Sequence, residues 1–201
     1  MIKTLKTGLL AMAIAGMAVI SQASADLSEV LESGTVKIAI PENFPPFGSL
    51  GAEGEYVGYD VDVAKMIAED LGVELELVPV TSKQRIPFLE TDRVDLVISS
   101  MEFTEKGPEG IEVVRFGDNA ATLSAYLSKQ VDVLVTGNTV AAQLSSDNPG
   151  LDIETKFIIK ESPAFIGIKK GQLDLLQWVN VFILHKKLGG QLNELSEKWL
   201  G

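Results

Sequence analysis

The 66 residues from Thr35 to Ser100 change hydrophobic period four times, and this alternation restricts the fold more than any other feature of the chain. "TVKIAI" (35–40) is short, apolar and rich in β-branched residues, the pattern of a buried strand, and the prolines of "PENFPPFG" stop it at once. "GYDVDVAKMIAEDLG" then shifts to helical spacing. Val63, Met66, Ile67 and Leu71 recur on one face, Asp60 is the expected N-cap, and Gly72 ends the run. "VELELVPV" alternates Val73, Leu75 and Leu77 with Glu74 and Glu76, a strand with one wet face. "RIPFLETD" reads as a short helix and "VDLVISS" as a continuous apolar strand. Strands joined by helical crossovers of this length run parallel, so the chain is expected to be α/β, with a parallel sheet wrapped by helices.

The amino terminus reads as a secretory signal peptide over residues 1–25. Lys3 and Lys6 precede "GLLAMAIAGMAVI", and "ASA" stands before Asp26. The apolar run covers 13 residues, short for a membrane span of about 20. Cleavage would leave 176 residues (201 − 25) and take the formal net charge from −11 to −13 by removing the two lysines. So acidic a chain, with no basic stripe, is a poor match to a nucleic acid. There is no cysteine, which excludes a lipid anchor on cysteine, disulfides and thiolate metal sites. The expectation is an exported, monomeric protein in the periplasm.

Past Ser100 the pattern is looser. "NAATLSAYLSKQ" is helical, and "RVDLVISS" (93–100) is echoed by "QVDVLVTG" (130–137), an expected strand 37 residues later. "DIETKFIIK" and "AFIGIKKG" read as two more strands, followed by two helices in "QLDLLQWVNVFILHKKLGGQLNELSEKWLG". Two related lobes, each with a strand ending in small residues at the sheet's carboxyl edge, explain the echo better than a solenoid.

"GYDVDVAKMIAEDLG", together with "NFPPF", "RIPFL", "VDLVISSM" and "LNELSEKWLG" in that order, resembles the bacterial extracellular solute-binding proteins of family 3, which deliver polar amino acids to ABC importers. The resemblance implies a periplasmic-binding-protein-like fold with lobe one at 26–106 plus 164–201 and lobe two at 107–163. Members of that family are longer, and the shortfall falls in "MEFTEKGPEGIEVVRFGDN" (101–119), where a hinge strand and the opening of lobe two are expected. Lobe one is expected complete and lobe two truncated.

An amino-acid site needs a donor for the α-carboxylate, an acid for the α-ammonium and an apolar wall. The resemblance places Phe44, Phe47 and Tyr59 at the wall, and Ser99, Ser100 and Thr104 near the carboxylate. Phe44 reads equally as packing against the prolines, Phe47 reads more readily as core packing, and the serines read equally as strand-end hydroxyls bonded to their own backbone. The resemblance also exposes losses. Glu102 stands where the family has a threonine, Gly107 where it has the arginine, and Gly137 where it has the acid, while Lys106 lacks the planar fork of an arginine. Asp60 and Asp62 invite a paired-carboxylate reading, but a cap and a first-turn acid explain them through the helix dipole. His185, the single histidine, is expected at the surface. No nucleophile with a neighbouring base, phosphate loop or HExxH occurs, so no enzyme, cofactor or metal is implied. The expected partners are a polar amino acid or similar small solute, bound weakly or not at all, and an ABC permease at the inner membrane. The rival readings are a dehydratase-like periplasmic enzyme using Glu102, and a remnant that binds no solute or a domain that contacts other proteins.

Overall fold

The computed structural model describes residues 27–100, 112–155 and 164–201. The signal peptide, Thr104, Glu102, Lys106 and Gly107 lie outside the described residues. In chain order the elements are α1 (Leu27–Ser33), β1 (Thr35–Pro41), β2 (Ser49–Leu50), β3 (Tyr56–Val57), α2 (Tyr59–Leu71), β4 (Glu74–Val80), α3 (Arg85–Glu90), β5 (Leu96–Ser100), α4 (Asn119–Leu127), α5 (Asn138–Asp147), β6 (Ala164–Ile168), α6 (Leu173–Leu188) and α7 (Gln191–Leu200).

Four strands form one sheet in the order β4-β1-β5-β6. β1 runs parallel to β4 and β5, as the alternation requires. β6 does not: it pairs antiparallel with β5, Ser100 opposite Ala164 and Leu96 opposite Ile168. The parallel order expected of Thr35–Ser100 is found, and β6 adds an antiparallel edge to it. β6 arrives from a long excursion of the chain rather than through a helical crossover, so nothing forces it into the common direction.

Alternation along β1 sorts the helices onto the two faces. Val36, Ile38 and Ile40, each fully buried, pack with Val61, Ala64 and Ile67 of α2 and with Leu175, Val179 and Phe182 of α6. Ala39 points the other way, joining Val80, Val94, Val97 and Leu89 of α3. Burying one such aliphatic side chain stabilises the fold by about 1.5 to 3 kcal/mol, so these two clusters hold the sheet together. Asp62 fastens α7 to α2 by accepting from Lys198 Nζ at 2.7 Å and Trp199 Nε1 at 2.8 Å. Burial raises its carboxyl, but the hydrogen bonds from Lys198, Trp199 and Lys65 outweigh that and hold it below its ordinary value. Among the described residues no helix is long and apolar enough to cross a membrane.

Residues 112–155 are built differently. α4 is capped by Asp118, whose carboxylate accepts from the Ala121 amide at 2.7 Å, and α5 follows. No strand occurs among these described residues. "QVDVLVTG" is therefore not the expected strand, and the described part of "DIETKFIIK" is irregular as well. Val113, Val114, Val133 and Val135 are exposed, and only Ala125, Val140 and Leu144 are buried in this segment. β-branched runs become strands when a neighbouring strand and a core receive them, and among the described residues no strand lies beside these valines, which are exposed.

Amide hydrogens in 112–155 are accordingly expected to exchange well before those of β1, β4 and β5, and limited proteolysis to cut first between Thr104 and Ser162. Uniform protection along the chain would contradict this account.

Candidate functional site

The loop after β1 and the start of α2 are a single unit. The Tyr59 amide donates to the Pro46 carbonyl and the Asp60 amide to the Phe47 carbonyl, both at 2.9 Å. These carbonyls replace a side-chain cap, so Gly58, not Asp60, is the N-cap, and the expectation for Asp60 is corrected. Gly58 holds φ at +139°, and a Cβ there would lie 2.2 Å from the Phe47 oxygen. The docked loop sets three rings in a row. Phe44 stacks on Phe47 with centroids 5.5 Å apart, and Phe47 meets the edge of Tyr59 at 6.5 Å. Tyr59 turns its hydroxyl toward α7, where Ser196 hydrogen-bonds it; burial raises its pKa, that bond lowers it and Asp60 raises it, with the rise prevailing.

Asp60 and Asp62 do not form a pair. Asp62 faces α7, whereas Asp60 is 1% exposed and faces Arg85 at the start of α3. Its Oδ2 has no hydrogen-bond partner. Burial pushes the Asp60 carboxyl up to about 7, with the Arg85 charge pulling the other way. Arg85 is itself only 7% exposed; burial lowers its pKa while Asp60 raises it.

Arg85 lines a crevice with Pro41 at the end of β1 and Glu42, Asn43 and Phe44 after it, Val80 at the end of β4 and Thr81 and Ser82 after it, and Asp118 and Asn119 at the start of α4. β1 and β4 are neighbours, and the chain leaves them for helices on opposite faces of the sheet. Ligands of open α/β sheets lie outside the carboxyl ends of the strands at the switch point, which in the order β4-β1-β5 falls between β1 and β5; this crevice adjoins it on the β4 side. The space is about 10 Å³, room for one water molecule. A wider hollow of about 310 Å³ between α5 and α7 is lined by Thr139, Gln143, Ser146 and Trp199 among others, without a buried charge.

Of the expected site residues whose side chains are described, Phe44 alone lines the crevice. Phe47 and Tyr59 support it from behind. Ser99 is 1% exposed within β5 opposite Phe165, and the backbone of Ser100 pairs with that of Ala164. His185 is exposed in the last turn of α6, as expected, and Gly137 is the N-cap of α5. Arg85 was not among the expected residues. Its signal was a misfit, a cation in the first turn of a helix, where the dipole disfavours it. Among the described residues no cluster of three or more potential ligands could hold a metal.

Residues 36–201 match the family model described as bacterial extracellular solute-binding proteins, family 3. The L-cystine-binding protein of Escherichia coli is 23% identical over 249 residues, covering 96% of this chain and 94% of its own. That alignment exceeds the 201 residues of this chain by 48, so at least 48 of its positions have no counterpart here. The cyclohexadienyl dehydratase of Pseudomonas aeruginosa is 34% identical over 97 residues, 46% of this chain and 36% of its own. The crystal structure of a mutant ArgBP from T. maritima superposes with a TM-score of 0.76 at 27% identity, over 86% of this chain and 98% of that one.

Proposed function

We propose, from the premise that this chain belongs to the bacterial extracellular solute-binding proteins, family 3, that it is an exported amino-acid-binding protein with a shortened second lobe and a correspondingly weakened site. Lobe one comprises 26–106 plus 164–201, and lobe two is the remnant 107–163. The observation that carries this reading is the crevice at the carboxyl ends of β1 and β4, where Phe44 and the buried Arg85 meet. The 48 unmatched positions and the lack of strands among the described residues of 112–155 support the shortening. The solute is a polar amino acid or a similar small molecule, and the receiving partner an ABC permease at the inner membrane. The protein acts as a monomer in the periplasm, after removal of residues 1–25.

Weak binding follows from the missing contacts. Gly107 stands in place of an arginine, and losing one partner of a buried ion pair costs about 3 to 5 kcal/mol, a hundredfold or more in affinity. Calorimetry on the mature protein is expected to give millimolar dissociation constants for its best amino acid. At ten times that constant a ligand adds about 1.4 kcal/mol, raising the thermal midpoint by roughly 3 to 6 °C. A micromolar constant would overturn the weakened-site reading, and no response to any amino acid would favour the remnant. The part-length dehydratase match favours a second reading, an enzyme on the same scaffold. Turnover that depends on Glu102 would establish it.

A further inference from the structure

Ten of the 16 residues of α6 are apolar, and they surround the helix. Helices of that composition are ordinarily covered on every side, whereas α6 is covered on one. Leu175, Val179 and Phe182 are buried against the sheet, while Leu173, Leu176, Val181, Leu184 and Leu188 are exposed, Leu173 by 71% and Leu188 by 78%. At about 100° per residue these five lie within about 140° of one another, opposite the buried three. The stretch is also set apart by charge. Residues 164–190 carry Lys169, Lys170, Lys186 and Lys187 against the single acid Asp174, a formal +3 (4 − 1) in a mature chain of −13 (−11 − 2). Lys169 pairs with Asp92 and Lys186 with Asp70, whereas Lys170, just before α6, and Lys187, in its last turn, stand exposed at its two ends.

We propose that this face of α6 rests on an anionic phospholipid bilayer, its aliphatic side chains in the headgroup boundary and Lys170 and Lys187 against the phosphates. At 16 residues the helix is too short to span a bilayer, and its buried side is committed to the sheet, so it lies along the surface. Apolar burial and attraction to anionic lipid act together in such a contact. Both are needed here, because the exposed acids of the helices packed against α6, Glu29 and Glu32 on α1 and Glu194 and Glu197 on α7, oppose the same surface. A second copy of the chain fits less well. The stripe has a footprint of about 24 by 10 Å, far below the roughly 800 Å² that each partner of a standard interface buries. Two acidic chains also repel each other.

The test uses the mature protein, residues 26–201, which lacks the apolar run of 8–20, and vesicles of phosphatidylethanolamine with phosphatidylglycerol or of phosphatidylcholine alone. In co-sedimentation at low salt, the anionic vesicles are expected to bring down at least about fivefold more wild type than the neutral ones. Leu184→Gln combined with Leu188→Gln should bind the anionic vesicles about tenfold less. Lys170→Gln combined with Lys187→Gln should erase the preference between the two vesicles, as should high salt. Leu50→Gln, at the 60% exposed Leu50 of β2, is the control and should bind as the wild type does. Should the leucine pair not fold, Leu173→Gln at the other end of the stripe decides. Wild type that stays in the supernatant with both vesicles overturns the assignment, as do leucine or lysine variants that sediment like the wild type. A wild-type dimer in sedimentation velocity that the leucine variant dissolves also overturns it and gives the face to a second copy. None of these readouts needs a bound solute, so this assignment and the solute-binding reading fail separately.

Discussion

Replacing Gly58 with alanine is expected to lower the thermal midpoint by roughly 10 °C, equivalent to about 3 to 5 kcal/mol. Two effects add. The backbone holds φ at +139°, which side chains other than hydrogen rarely tolerate, and the new Cβ would stand 2.2 Å from the Phe47 oxygen and 2.8 Å from the Pro46 oxygen. Those two carbonyls receive the first amides of α2, so relieving the clash breaks the cap and lifts the Phe44 ring from its place. Gly54→Ala is the control, because its φ is +90° and a Cβ there meets nothing within 4 Å. It carries the backbone strain without the clash, about 1 to 2 kcal/mol. Equal midpoints for the two variants would refute the carbonyl-cap account.

Replacing Asp60 with asparagine is expected to stabilise the protein, and only above mid-acid pH. Burial pushes this carboxyl from 3.8 to about 7, a value that includes the opposing pull of Arg85. An acid raised on folding gives its proton up first in the unfolded chain. Its share of stability is complete below pH 4 and is lost as pH climbs to 7, by roughly 4 kcal/mol. Asparagine copies the protonated form at every pH. Urea unfolding at pH 4, 5.5 and 7.5 should therefore show near equality at pH 4 and a growing advantage for Asp60→Asn, levelling off above pH 7. A constant difference, or a wild type more stable at pH 7.5, would show that Asp60 is ionised throughout.

The sheet and its helices were legible where one period of hydrophobicity ran unbroken. β1, β4, β5 and α2 each carry their own pattern, and the core follows from it. The first turn of α2 was misread because Asp60 is a good cap by type, whereas the acceptors used are carbonyls of Pro46 and Phe47, brought in by the tertiary fold. α1 escaped notice for want of length, with a single buried residue, Val30. "QVDVLVTG" has a strand's composition, but no strand pairs with it among the described residues. At the site, Phe44 was legible from its place just past a strand's carboxyl end. Arg85 was not, because proximity to Asp60 joins two segments 25 positions apart (85 − 60) across the top of the sheet.

The antiparallel pairing of Ser100 with Ala164 brings together the ends of everything between them. Facing residues of such strands lie only about 5 Å apart, so the 63 residues 101–163 leave and rejoin the sheet at nearly one point. The entropy of closing a flexible excursion depends on the logarithm of its length, each doubling costing about 0.6 kcal/mol. An insertion of 48 residues there would not double the excursion, and so would alter that cost by less than about 0.6 kcal/mol. The length of chain between Ser100 and Ala164 is thus close to neutral for the cost of closing the sheet at this edge.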